Sequence, residues 1–351
     1  MAFLNRRIIG AVLALGVVLV LGVVTYWQQL LERPLPVTEP LVYEVKSGLG
    51  AHQVMAQLQA LEVLPEVWPL KVWLKLNPEK ARLKAGEYQI PAGLNAYELM
   101  ALLASGKTVQ YQVTLPEGLN FAEALQLLQQ QEKLTIKTTD LTFPEIMQQV
   151  SGKPLEEVEH HEGRFFPDTY QYHKGVTDLQ ILKRAYDKMN RVLEEEWQQA
   201  DKAALPYKSA YEVLIMASIV EKETGVPEER SRIAGVFVQR LEKRMRLQTD
   251  PTVIYGLGDR YQGNITRRHL KEKTAYNTYR INGLPPTPIA LPGREAIHAV
   301  LHPLKEGDLY FVARGDGSHK FSKTLEEHNK AVRHYQIYKR KQDYQSAPSA
   351  Q

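Results

Sequence analysis

Two glutamates, Glu221 and Glu223, close an apolar run in residues 209–225, SAYEVLIMASIVEKETG, and they are the side chains best placed to move a proton. Ser209 followed by Glu212 has capping-box spacing, and Val213, Leu214, Ile215, Met216, Ile219 and Val220 can bury most of a helix's circumference. The pattern predicts a central helix ending in a C-terminal Gly225. A carboxylate in that last turn faces the negative pole of the helix dipole and, if shielded from water, acquires a raised pKa. A general acid needs that environment. At about 100° per residue the two glutamates point about 200° apart, Glu223 along the stripe of Met216, Ile219 and Val220, and Glu221 over Leu214, Ala217 and Ser218. Spacing does not choose between them, and solvated glutamates paired with Lys222 or Arg230 are the plain alternative.

Further polar groups sit where a ligand could use them. In RLQTDPTVIYGLG, Gln248, Thr249 and Asp250 are wedged between apolar runs, where they must hydrogen-bond the fold or face a ligand. Asp250-Pro251 predicts a turn, followed by a strand or buried turn over 253–255. The segment TAYNTYRINGLPPTPIALPG, from Thr274, reads as a long loop stiffened by Pro285, Pro286, Pro288 and Pro292; Asn277 offers an amide suited to an acetamido group, and Tyr276 and Tyr279 offer stacking faces. LYFVARGDGSHKFSKT predicts a hairpin turning at Gly315-Asp316-Gly317, with His319 and Phe321 on one face of its second strand. Thr324 and Glu327 then cap a closing helix carrying His328 and Asn329. His160 and His161 are adjacent, which fits no single-metal spacing, and they read as exposed. No HExxH pattern occurs, so neither a metal nor any other cofactor is expected.

These groups need elements to hold them. With 351 residues, 44% hydrophobic and 24% charged, the chain has ordinary globular composition and room for two or more domains. Net charge is +4 and no basic run interleaved with aromatics appears, which argues against nucleic acid as a partner. The lack of cysteine excludes disulfides and thiolate catalysis. Residues 8–24 are an unbroken run of apolar residues and glycines, close to the ~20 that cross a bilayer. With Tyr26 and Trp27 closing it at interface depth, the span is placed at 8–27. Arg6 and Arg7 put residues 1–7 in the cytoplasm, and the absence of an A-x-A site favours an uncleaved anchor over a signal peptide.

Residues 28–42, with Pro34, Pro36 and Pro40, read as an extended spacer. A strand, glycine turn and capped helix then recurs from Tyr43, Tyr88 and Tyr111, with Gly50, Asn95 and Asn120 as N-caps and Gln53, Glu98 and Glu123 three residues on. A second helix over 65–76 completes a strand-helix-helix-strand module, placed at 43–110. Its order resembles the LysM glycan-binding module, while a small α+β domain that spaces or docks the remainder is an equal reading. The aromatics of EGRFFPDTYQY, 162–172, suggest a buried turn ahead of a sugar-stacking cleft. Helices are expected over 143–150, 178–199 and 227–245. The fold class is α+β, with an intermediate region at 111–205, a mixed helix and strand catalytic domain at 206–340, and a polar tail at 341–351.

Taken in order, ASIVEKETG, RLQTDPTVIYGLG, TAYNTYRINGLPPTPIALPG and HKFSKTLEEHN resemble the endolytic murein transglycosylases of the YceG-like family, from about Tyr43 to Tyr335. The resemblance implies cleavage of the β-1,4 bond between N-acetylmuramic acid and N-acetylglucosamine inside peptidoglycan strands, leaving a 1,6-anhydro ring. It implies that Glu223, second of the E-K-E pair, performs both proton transfers, with Glu221 a supporting neighbour at the substrate. Gln248, Asp250, Asn277, His319, Phe321 and Asn329 are expected around the sugar. The resemblance further suggests anchoring in the bacterial inner membrane, with the catalytic domain in the periplasm. Penicillin-binding proteins are the suggested partners, and termination of glycan elongation the task. A hydrolytic muramidase and a non-catalytic glycan-binding scaffold are the competing readings.

Overall fold

The computed structural model describes residues 2–338; the expected tail at 341–351 lies outside them, as do the side chains of Arg6 and Arg7. Helix α1 spans Ala2–Glu32, and over Gly10–Glu32 it is long and apolar enough to cross a membrane, with a mean hydropathy of 2.2 and no part of its apolar stretch buried. The described chain forms two compact units, one made of the residues up to 111 together with 171–175, the other of residues 112–170 together with those from 176 on.

In the first unit, β1 (Leu41–Val45) is followed by α2 (Ala51–Ala60), α3 (Trp68–Leu76), β2 (Gly86–Ile90) and α4 (Ala96–Ser105), the strand-helix-helix-strand order read from the sequence followed by the capped helix expected after Tyr88. β1 and β2 pair antiparallel with Tyr43 opposite Tyr88, both buried. Asn95 accepts from the Glu98 N–H while Glu98 accepts from the Asn95 N–H, a complete capping box. Gly50, lacking a side chain, has only the Gln53 half. The expected spacer at 28–42 is much reduced. Leu31 and Leu35 are buried in this unit's core, the Leu35 N–H donates to Leu94 O at 2.7 Å, and the Trp27 indole donates to Pro69 O at 3.1 Å. Two leucines that can leave water outweigh the preference of the surrounding prolines for extended chain. Trp27 is accordingly a docking residue of this unit.

The second unit contains most of the helices. β3 (Tyr111–Thr114), α5 (Phe121–Gln129), α6 (Phe143–Ser151) and β4 (Thr169–Tyr172) lead to α7 (Asp178–Gln199), and β3 pairs with β4. Then follow α8 (Ala210–Glu223), α9 (Pro227–Glu242), α10 (Asp250–Leu257), the short α11 (Arg267–Lys271) and α12 (Arg294–Leu301). The hairpin β5 (Tyr310–Ala313) and β6 (His319–Ser322) and the helix α13 (Leu325–Val332) complete the described elements.

α8 is the hub, with Val213 through Val220 all buried and α7, α9, α10 and α12 packed around it. Met189, Val192 and Leu193 of α7 share its core, so the boundary expected at 205 and 206 is absent: the apolar stripe of α7 is covered by α8 and α12. Residues 253–255, expected as a strand or turn, are the middle of α10. Asp-Pro opens a helix as readily as a turn, because proline at the first helical positions gives up an N–H that has no partner there anyway. His161, expected exposed with His160, is half-buried between Phe121 and Phe143, and burial pushes its imidazole down to about 4. The aromatics of 162–172 do form a buried turn, with Phe165 stacked on Phe121 at 4.7 Å.

Candidate active site

α8 holds its two glutamates in place because Val213 through Val220, the two turns ahead of them, are buried. Ser209 caps it by accepting from the Glu212 N–H at 3.3 Å, although Glu212 reaches back to the Lys208 N–H at 2.6 Å in place of the Ser209 N–H. The far end does not stop on a left-handed Gly225. Thr224, buried and extended at φ −147°, ends the helix, and its hydroxyl accepts from the Val226 N–H at 2.9 Å. That side-chain turn makes the glycine stop unnecessary.

The two glutamates diverge as their spacing demands. Glu221 accepts from the Gly293 N–H at 3.0 Å, at the N-cap of α12. Burial raises its pKa and the Gly293 N–H opposes the rise. It lies off the groove described next and anchors a helix end, where the sequence placed it beside the substrate. A Cβ at Gly293 would collide with the Glu117 carboxylate, so glycine is the residue that lets Glu221 and Glu117 approach this helix start together.

Glu223 faces the opposite way, into an open groove of about 820 Å³ between the end of α8, the 247–251 segment, the 261–265 loop, the hairpin and α13. Its Oε1 accepts a hydrogen bond from the Thr249 hydroxyl. Thr249 is the N-cap of α10 and is buried, yet makes no side-chain cap bond, since its hydroxyl is given to the glutamate. Thr249 is itself fixed: its N–H donates to Thr278 Oγ1 at 3.0 Å, and its carbonyl accepts from Thr252 Oγ1 at 2.8 Å. Burial pushes the Glu223 carboxyl up to about 7, with the Thr249 hydroxyl opposing, the negative charge of Asp250 adding to the rise and Arg240 opposing it. Such a carboxyl is protonated in a large fraction of molecules at neutral pH and can both give and take a proton.

Of the remaining expected residues, Gln248, Asp250, His319 and Asn329 line the same groove. Gln248 has a φ of +52°, a left-handed conformation unusual for a side chain of its kind, held by donation from its N–H to Thr278 O at 3.2 Å. Asp250 Oδ1 accepts from the Tyr279 hydroxyl at 2.7 Å. His319 is buried, its Nδ1 2.7 Å from Glu229 Oε2 and its N–H donating to Glu229 Oε1 at 2.9 Å. Asn329 is exposed at the groove's edge.

Asn277 and Phe321 do not line it. The Asn277 amide donates to His269 O, Leu270 O and Glu272 O and accepts from the Tyr279 N–H at 3.0 Å, so its hydrogen-bonding capacity is consumed in tying the 261–293 region together. Phe321 shares the His319 face as expected, but that face continues into the core, where the Arg232 guanidinium lies 4.4 Å from its ring.

The sequence did not single out Arg240 or Glu162, and it offered His328 only as a neighbour of Asn329 on the closing helix. Arg240 is buried, donates to Leu309 O and Leu247 O, and stacks over Tyr310 at 5.1 Å. His328 stacks on Tyr310 with ring centroids 5.2 Å apart, and its buried Nδ1, on the groove lining, has no hydrogen-bond partner. Burial lowers its pKa, keeping the ring neutral and able to accept or donate. Glu162, buried away from the groove, is pushed up to about 7 by burial while accepting from the Tyr255 hydroxyl and the Phe121 N–H. A glutamate beside the apolar run 165–166 was the signal available for it.

The raised Glu223 carboxyl, the Thr249 hydroxyl fixed on it and the polar side chains around it make this groove the candidate active site. An endolytic murein transglycosylase of Bacillus subtilis strain 168 is 31% identical over 305 residues, 83% of each chain. One from Streptococcus pneumoniae serotype 2 strain D39 is 29% identical over 283 residues, 71% of this chain; this chain spans half the length of that relative. A YceG-like protein of Listeria monocytogenes, known from a crystal structure, shares 32% identity with a TM-score of 0.52, over 83% of this chain and 99% of its own. The YceG-like family profile matches residues 43–334, and the chain belongs to that family.

Proposed function

We propose that the protein is a lytic transglycosylase, anchored by α1, that cuts the N-acetylmuramic acid to N-acetylglucosamine bond inside peptidoglycan strands. The observation that carries the reading is the Glu223 carboxyl, raised to about 7 and bordering an open groove of about 820 Å³. Protonated Glu223 gives its proton to the bridging oxygen as the bond from C1 of the muramoyl residue to that oxygen breaks, releasing a 4-hydroxyl. The resulting carboxylate faces the oxocarbenium-like C1, takes the proton of the muramoyl 6-hydroxyl, and O6 closes on C1 as a 1,6-anhydro ring. No water is consumed, and Glu223 ends as it began.

A hydrolase needs a second carboxylate as nucleophile or base. Asp250 is the acidic residue nearest in chain to the groove's centre, and its Oδ1 is already engaged by Tyr279, which favours a binding role. Gln248, His319, His328 and Asn329 supply hydrogen-bonding groups suited to acetamido and hydroxyl groups. The strand-helix-helix-strand order of the first unit is compatible with a LysM-like glycan contact. Arg6 and Arg7 ahead of the apolar run that begins at Ile8 favour an inner-membrane anchor with the folded units on the outer side, and penicillin-binding proteins fit as partners in ending nascent strands. Mass spectrometry of the ends made from purified glycan strands tests the reading: anhydro-muramoyl ends, lighter by one water, support it, whereas reducing ends identify a hydrolase and uncut strands a scaffold.

A further inference from the structure

Away from the groove, the face where α12 meets α7 gathers the one group of three metal-ligating side chains among the described residues: Glu196, His298 and His302. His298 and His302 are four residues apart at the end of α12, a spacing that puts both rings on one side of a helical turn, and the His302 N–H still donates to His298 O at 2.9 Å. The two rings are 4.3 Å apart. Glu196, buried on α7, lies opposite with Oε2 2.9 Å from His298 Nδ1, and one ligand atom from each residue can be found with all three within 4.8 Å of one another.

We propose that these three residues form a binding site for a divalent transition ion of the zinc type. Two imidazoles and one carboxylate are a borderline donor set that suits zinc and disfavours magnesium or calcium, which require oxygen ligands. The three donor atoms already lie within 4.8 Å of one another, and both histidines are exposed, which opens a path of entry. The second oxygen of Glu196 accepts from Arg294 Nη1 at 2.7 Å, the kind of outer contact that orients a ligating carboxylate. Arg294 also donates to Glu195 at 2.8 Å, so it keeps a partner when Glu196 turns towards the ion.

The ion would join α7 to α12, whose N-terminus is held by Glu221 of the catalytic helix, and so would brace the packing behind Glu223. None of the three ligands lines the groove, so the site is structural and its existence does not depend on the reaction assigned to the groove.

Calorimetric titration of the detergent-solubilised full chain with zinc chloride in excess magnesium tests the site, alongside thermal unfolding with and without zinc. The wild type should bind zinc saturably and unfold at a higher temperature with zinc present. The double variant H298A/H302A, altered only at exposed positions, should bind at least about tenfold more weakly and lose the zinc-dependent shift. The variant H160A, which disrupts the adjacent histidine pair elsewhere, should retain both. Equal zinc affinity in the double variant, or no saturable binding by the wild type, would overturn the site.

Discussion

At the residue scale, two glutamates two positions apart have opposite employment, and the cause is the helical rotation between them. Glu221 stabilises a helix start, while Glu223 is left with one hydroxyl donor on a groove wall. The rotation was legible in the sequence; what each side chain would meet was not, because Gly293 and Thr249 come from segments 72 and 26 residues away along the chain. With the acid form of Glu223 needed in the free enzyme and its pKa raised to about 7, kcat/KM should be level below that pH. Above it, kcat/KM should fall about tenfold per pH unit as the proton is lost. A pH series of strand cleavage measures it. Substituting Thr249→Val keeps shape and removes the donor. Losing a hydrogen bond to a charged group should lower kcat about 10- to 100-fold, and since that bond holds the pKa down, the alkaline limb should also move to higher pH. A drop in kcat with an unmoved limb would assign Thr249 to the fold alone.

At the element scale, periodicity and caps located most of the helices: α7 was bounded as expected, and the boxes at Asn95 and Asn120 form as spaced. The misassignments share one origin. Asp250-Pro251 and Asn277 are short-range ambiguous, since each can serve a turn, a helix start or a ligand, and only tertiary partners decide. The structure gives Asn277 to the loop: its amide satisfies three carbonyls, and its carbonyl takes the Tyr279 N–H. Asn277→Ala should therefore leave buried acceptors unpaired and reduce stability by about 2 kcal/mol, read by denaturant unfolding. A large rise in KM with stability intact would return Asn277 to the substrate. Gln248 went unrecognised as a strained residue because no local signal marks a left-handed glutamine; its conformation is imposed by the pairing of 248–249 with Thr278.

At the scale of the whole molecule, composition and hydropathy disclosed an apolar first helix, an α+β body and a boundary near 110, close to the division of the two units after 111, while two other expected boundaries differ from the structure. The expected spacer at 28–42 is largely absorbed into the first unit, and the expected boundary near 205 does not exist, because leucines and apolar stripes are buried wherever a partner surface is offered. One consequence concerns the apolar first helix. Leu31, 1% exposed, ties the end of α1 into the first unit's core, so Leu31→Ala should destabilise that unit by roughly 3 kcal/mol in limited proteolysis of the full chain. Tyr26→Ala, at a position 60% exposed, should leave it unchanged. If both variants behave alike, the first helix and the unit are independent.

The account rests most heavily on a single titrating oxygen pair, and the turnover of purified, uncrosslinked glycan strands by Glu223→Gln addresses it directly. The substitution retains an oxygen to accept from Thr249 and removes the proton that the reaction needs. A folded variant that leaves the strands uncut is the predicted result; cleavage at the wild-type rate would show that the proton comes from elsewhere.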